Sequence, residues 1–349
     1  MMKTKYEYII IGQGIAGSMM AHTLLSRGKN ILVIDQFHPN SSSNIASGVV
    51  NPITGRKMVK TWMIDELLPF AKQTYKNLEV LLQTQFVHEN KLLKIFSSHD
   101  DIEQWKKRQA DTEYMPYMGE MIAADEMHPS INAPFGAGII KQAFGVNVPE
   151  FTKATRTFLK SQNRILEENF DYDELIISDT LQYKNIEAEK IIFCEGYKAY
   201  QNPYFKWIPF CFAKGEHLLI HAEKLETECV LNKNIFVIPI GNHLYKIGST
   251  FLWDDMEENV TDAGREEMLQ KFKKISSDAF TIVEEKAAIR PAMRDRRPVV
   301  GRHPEYKNLY VFNGMGTKGV SLSPYFSTYL ADFLEHNFKI LPEISVDRF

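Results

Sequence analysis

Three glycines, one acid and a few cations are the residues of this chain whose types and spacing suit chemistry. Gly12, Gly14 and Gly17 form G-x-G-x-x-G within "YEYIIIGQGIAGSMMAHTLL". Such a turn holds a pyrophosphate. Gly12 permits a tight exit from a strand, Gly14 lets phosphate approach the backbone with no Cβ in the way, and Gly17 lets a helix pack close to the sheet. Ile15 and Ala16 open that helix, whose unpaired N–H groups and positive dipole end suit an anion. Asp35 lies 18 residues after Gly17, at the end of "NILVID" and before Gln36. That is near the spacing of a carboxylate that accepts ribose hydroxyls. Downstream, "IRPAMRDRRPVVG" carries Arg290, Arg294, Arg296 and Arg297. A guanidinium offers two parallel N–H donors to a carboxylate.

These residues need elements to position them. Tyr8–Ile11 is short, apolar and β-branched, which predicts a buried strand. Good helix formers follow over 16–25, and a second strand is expected over 30–35. Two later apolar runs, "KIIFCEG" (190–196) and "NLYVFNG" (308–314), each end in a glycine. Open α/β sheets bind ligands at the carboxyl ends of their strands. Asp35, Gly196 and Gly314 are therefore expected to converge, and the nucleotide domain to be discontinuous. Elsewhere the pattern changes. "LLKIF" (92–96) reads as a strand and "DDIEQWKKRQA" (100–110) as an exposed amphipathic helix. From 209 to 251 strand follows strand, with a turn at Gly241-Asn242, which predicts antiparallel sheet.

Composition narrows the class. The 349 residues are 44% hydrophobic and 24% charged, ordinary for a globular chain with more than one core. A net charge of −3 offers nucleic acid no general attraction. Cys194, Cys211 and Cys229 lie far apart, without metal-ligand or disulfide spacing, so no metal site is expected. No apolar run approaches a membrane span, and Glu7 with the glycines breaks any signal-like h-region. A cytoplasmic protein with no membrane partner is expected.

Five stretches resemble, in order, the FAD-dependent D-amino-acid oxidase-like family, which includes glycine oxidase and sarcosine oxidase. They are "IIIGQGIAGSMMAHTLLSRGKNILVIDQ", "IIFCEG", "YKIGST", "IRPAMRDRRPVVGR" and "NGMGTKGVSLSPYFSTYLADFL". The resemblance implies an α/β fold: a GR-type FAD-binding Rossmann-like domain with an inserted α+β antiparallel-sheet substrate domain. The expected boundaries are 1–87, 141–205 and 286–349 for the FAD domain, and 88–140 with 206–285 for the substrate domain. It also implies FAD, and oxidation of a C–N bond in an amine or amino acid by hydride transfer to flavin N5.

Roles for residues follow from the resemblance. Ala46, Ser47 and Gly48 match the loop that touches pyrophosphate and flavin. Gly314, Gly316, Thr317, Lys318 and Gly319 match the turn that meets the flavin's N1/C2=O edge, and the dipole of the following helix would stabilise the charge of the reduced ring there. Ser321 or Ser323 is expected to cap that helix. Arg290 matches the arginine that clamps the substrate carboxylate; a structural ion pair is the alternative. Lys246 matches a flavin-facing lysine that promotes reaction with oxygen; a strand lysine facing water is the alternative, and would favour a dehydrogenase using another acceptor. Arg56, Lys57 and Lys60 face either an anionic substrate or solvent. Two departures stand out. Phe236 occupies the place of a glycine-oxidase tyrosine, and no cysteine lies within 314–323, so FAD is expected to be non-covalent. The runner-up is a stand-alone FAD oxidase acting on a carboxymethylaminomethyl-modified tRNA wobble uridine, and it needs a basic face. A non-catalytic FAD-binding scaffold is the third reading.

Overall fold

The computed structural model describes residues 4–89, 91–253, 255–336 and 338–349. Its first sheet has eight strands. Ile165–Leu166, Ile31–Ile34, Thr4–Ile11, Ile186–Phe193 and Leu309–Asn313 lie parallel in that order. Val299–Arg302 pairs antiparallel with the last of them, and Leu181–Tyr183 and Leu175–Ile177 extend the lower half of Ile186–Phe193. The central strands are continuous apolar runs because both faces are covered. Ile10, Val33 and Ile192 pack under helices Ile15–Ser26 and Gly319–His336, while Ile9, Leu32 and Val311 pack on the other side. Register aligns Ile11 with Ile34 and Phe193, and Phe193 with Val311. The turns at Gly12, Gly196 and Gly314 consequently leave one edge.

The second sheet has nine strands. Leu92–Ile95, Met118–Ile122 and Ala137–Ile140 form one end, and Phe210–His221, Phe236–Gly241, Leu244–Gly248 and Thr281–Met293 form the antiparallel body. Strand Thr281–Met293 crosses the expected boundary at 285/286 and pairs with Phe210–His221 from end to end. Residues 286–293 therefore sit in this sheet. One face of the body carries Leu218, Ile220, Val237, Tyr245 and Ile247 onto helix Asp262–Lys273. The opposite face looks toward the first sheet's ligand edge.

Two helices deserve comment. Ile64–Leu82 buries Ile64, Leu67, Leu68, Ala71, Tyr75 and Leu78, a 3.6-residue stripe, with Asp65 and Glu66 in its first turn. Helix His99–Gln109 is amphipathic, as expected, and Trp105 anchors its one buried face. That indole is fully buried against Gly138, where a Cβ would lie 2.4 Å from the ring.

Candidate active site

The glycine turn has the strand–turn–helix form its spacing predicts. Gly12 has φ +94°, and a Cβ there would meet the Cys194 carbonyl oxygen at 2.5 Å. At Gly17 a Cβ would lie 1.9 Å from the Gly12 oxygen, so only glycine lets the helix sit this close. Gly14 faces Ser43, whose Oγ accepts the Ile15 N–H at 2.9 Å. Ala16 is buried in the helix behind.

Asp35 reaches the same turn. Its Oδ1 accepts the Gln13 N–H at 2.9 Å, and its Oδ2 accepts Nη1 and Nη2 of Arg156 at 2.9 and 2.8 Å. Arg156 also donates to Gln13 Oε1 at 3.0 Å. A carboxylate has about four acceptor positions, so room for a hydroxyl remains. Arg156 and Ser43 escaped the sequence reading. Arg156 sits on helix Val148–Ser161, 121 residues from its partner, and nothing local marks it. Gln36 is exposed beside this turn.

The two later strand ends arrive as expected. Asn313 Nδ2 donates to the Gly196 carbonyl at 2.8 Å. Gly316 N–H donates to the Pro291 carbonyl at 2.9 Å, tying the turn to the strand that carries Arg290. Gly319 starts the final helix against Ile15, where a Cβ would lie 3.1 Å from Ile15 Cγ2. Two helix N-termini thus stand side by side, each with first-turn N–H groups that have no intrahelical acceptor. Since the helix begins at Gly319, Ser321 and Ser323 lie inside it and do not cap it. Ser321 Oγ donates to the Lys318 carbonyl at 3.1 Å, and Ser323 Oγ is buried without a partner. Thr317 is exposed, and burial, with Arg296 and Arg297 nearby, lowers the Lys318 pKa to about 8.

Loop 46–48 closes the edge. Gly48 has φ +71°, and a Cβ there would strike the Val146 carbonyl oxygen at 1.8 Å. Ala46 and Ser47 are half-buried. Lys246 Nζ donates to the carbonyls of Ile45 and Ala46 at 2.8 and 3.1 Å, so this lysine turns onto the loop and away from bulk water. Burial, then Lys286, lowers its pKa to about 8, while Glu284 opposes them.

Arg290 lies on the same face of the second sheet. Its Nη2 donates to Ser249 Oγ at 2.7 Å, and its fork meets the carbonyls of Lys214 and Thr250 at 3.2 and 3.3 Å. The guanidinium rests on Gly215, where a Cβ would stand 1.7 Å from Nη2. The Phe251 ring centroid is 5.2 Å away. Among the described residues no carboxylate pairs with Arg290. Burial lowers its pKa to about 10. Behind it, fully buried Glu216 accepts Thr250 Oγ1 at 2.9 Å and the Thr261 N–H at 2.7 Å, fixing the backbone that holds the guanidinium.

Arg56, Lys57, Arg294 and Arg296 are exposed, and Lys60 pairs with Asp65 at 2.7 Å. Arg297 lies 4.1 Å over the Trp62 ring.

A parallel sheet with a dinucleotide-type turn at its carboxyl edge, faced by an antiparallel sheet whose Arg290 meets no carboxylate among the described residues, is the architecture of a nucleotide-binding two-sheet protein. The chain belongs to the FAD-dependent oxidoreductase family, whose model matches residues 7–333. It is an FAD-dependent oxidoreductase. Glycine oxidase of Bacillus licheniformis is 24% identical, the match covering 96% of this chain and 95% of that one. The MnmC protein of Legionella pneumophila, named for tRNA 5-methylaminomethyl-2-thiouridine biosynthesis, is 22% identical over 97% of this chain but 56% of its own length. In structure, glycine oxidase of Geobacillus kaustophilus superposes with a TM-score of 0.82 at 18% identity, covering 98% of each chain. The residues present fit FAD: glycines clear the phosphate turn, Ser43 and two helix starts face it, and Gly48 and Gly316 keep the loops bare. Among the described residues no helix is long and apolar enough to cross a membrane.

Proposed function

We propose that this chain oxidises the C–N bond of a small amine that carries a carboxylate, with oxygen as the final electron acceptor. The observation that carries the reading is Arg290, a largely desolvated guanidinium on the cofactor-facing side with no carboxylate partner among the described residues. Removing a cation from water is costly unless an anion meets it. A substrate carboxylate is that anion.

The bound flavin supplies the hydride acceptor. Arg290 fixes the substrate through its carboxylate, and that orients the α-C–H, most of what such a transfer requires. The N–H groups that open helix Gly319–His336 favour negative charge beside them. Loss of hydride leaves an iminium, which water hydrolyses to a carbonyl compound and an amine or ammonia. Lys246, held at loop 46–48, places an ammonium where an oxygen-derived anion would be stabilised. Gly12, Gly14, Ile15, Ala16, Gly17, Asp35 and Gln36 would hold the dinucleotide end. Ala46–Gly48, Gly196 and 314–319 would hold the middle and the ring.

A second reading has one observation in its favour. Arg297 on Trp62, with Lys318 close to Arg296 and Arg297, gathers cations and an aromatic ring near the flavin turn. Such a surface suits the modified wobble base of a tRNA. Anaerobic mixing of the yellow holoprotein with glycine, sarcosine or proline decides between them. Bleaching of the flavin band by a small amino acid supports the first reading. Bleaching only by tRNA bearing the carboxymethylaminomethyl group supports the second, and bleaching by neither refutes both.

A further inference from the structure

Antiparallel register arranges the site-facing side chains of the second sheet in rows. Glu284, Leu219, Lys246 and Ile238 form one row. Lys286, His217, Gly248 and Phe236 form the next. Ala288 and Gly215 form a third, and the Arg290 guanidinium lies over that glycine. Rows are about 6.8 Å apart, two residues of strand. His217 therefore stands between the two cations, with the Arg290 guanidinium, reaching back from its own row opposite Ala213, one row away on one side and Lys246 one row away on the other.

His217 is 6% exposed, and neither ring nitrogen has a hydrogen-bond partner. Buried polar atoms in folded proteins are nearly always paired, so an imidazole orphaned at both nitrogens calls for a ligand. Its row supplies none. Gly248 has no side chain, Phe236 has no polar atom, and Lys286 is taken by Glu284 at 2.8 Å. Burial, then Lys246, Arg290 and Lys286, drives its pKa well below the usual histidine range. At neutral pH the ring is uncharged, with one nitrogen free to accept.

We infer that His217 is a substrate-binding residue that accepts a hydrogen bond from the substrate's amine nitrogen while Arg290 holds the carboxylate. This rests on the amino-acid oxidase reading above and adds a second point of attachment to it. Two fixed points, one for each end of an amino acid, orient the carbon between them. An amine lacking the carboxylate, or a carboxylate lacking the amine, engages only one.

The test uses the FAD-loaded full chain and His217→Leu, with His217→Gln as an acceptor-retaining control. One arm measures the Kd for flavin reduction by whichever of glycine, sarcosine and proline bleaches the wild-type protein. The other measures the Kd of acetate and methoxyacetate from the perturbed flavin spectrum. The expected result is at least tenfold weaker amino-acid binding in His217→Leu, partial recovery in His217→Gln, and carboxylate binding within twofold of wild type throughout. Parallel weakening of both ligand types, or no change in either, overturns the inference while leaving the oxidase reading intact. Failure of every amine to bleach the wild-type protein overturns both.

Discussion

Gly215→Ala tests the anchoring of Arg290 without touching any group that does chemistry. The added Cβ would lie 1.7 Å from Nη2, 2.0 Å from Cζ and 2.5 Å from Nη1. Ordinary contact needs about 3.5 Å, so the guanidinium must retreat by roughly 1.5 Å or more. It is the far end of a flexible side chain, so the backbone need not move. The retreat breaks the 2.7 Å bond to Ser249 Oγ and lengthens contacts to Lys214 and Thr250 that are already 3.2–3.3 Å. Misplacing a positioning group by about 1 Å costs on the order of 100-fold in rate. We expect kcat/KM for the reducing amino acid to fall by about that factor, with FAD content and Tm near wild type. Anaerobic stopped-flow reduction, a flavin-to-protein absorbance ratio and a thermal melt read the three quantities. Wild-type reduction kinetics in Gly215→Ala would refute the claim that the guanidinium position seen here is the working one.

Two further outcomes follow from the electrostatics. Lys246 is charged below its pKa of about 8 and neutral above it, so if its ammonium promotes flavin re-oxidation, that rate falls as pH rises through 8. Lys246→Met should lower the rate about tenfold or more at pH 7 and abolish the titration, as read by mixing reduced enzyme with oxygenated buffer. Arg156→Met removes both Nη donors to Asp35 and the link to Gln13. FAD affinity should drop by about tenfold, the equivalent of ~1.4 kcal/mol, in a flavin-release fluorescence titration. An unchanged affinity would show that Asp35 needs no such support.

Legibility in the sequence tracked distance along the chain. The strand–turn–helix at Gly12–Gly17 is local as a pattern, and Gly17 meets the Gly12 carbonyl within it, although the atoms that a Cβ would strike at Gly12 and Gly14 come from Cys194 and Ser43. The hairpin at Gly241 and Asn242 was readable because positive φ there calls for those residue types. Arg156 was not, since its partner, Asp35, lies 121 residues away. Nor was Gly215, whose meaning appears only when Arg290 crosses from the neighbouring strand. The end of the substrate-side sheet is not legible, because "KAAIRPAM" carries the small apolar residues of either sheet and only pairing with Phe210–His221 assigns it. The serines after Gly319 suited a cap by type, but the chain had already turned helical at Gly319. His217 gave no sign at all. Its isolation is a property of three strands together.

The single bond from Gly316 N–H to the Pro291 carbonyl has a consequence for how such proteins diverge. It couples the turn proposed to meet the flavin to the residue next to Arg290. Under the proposed assignment, one short stretch of main chain would set the reach from cofactor to carboxylate. A new substrate would then be accommodated on the other side of Arg290, where the Phe251 ring stands 5.2 Å from the guanidinium, because a change at this turn would move the cofactor as well.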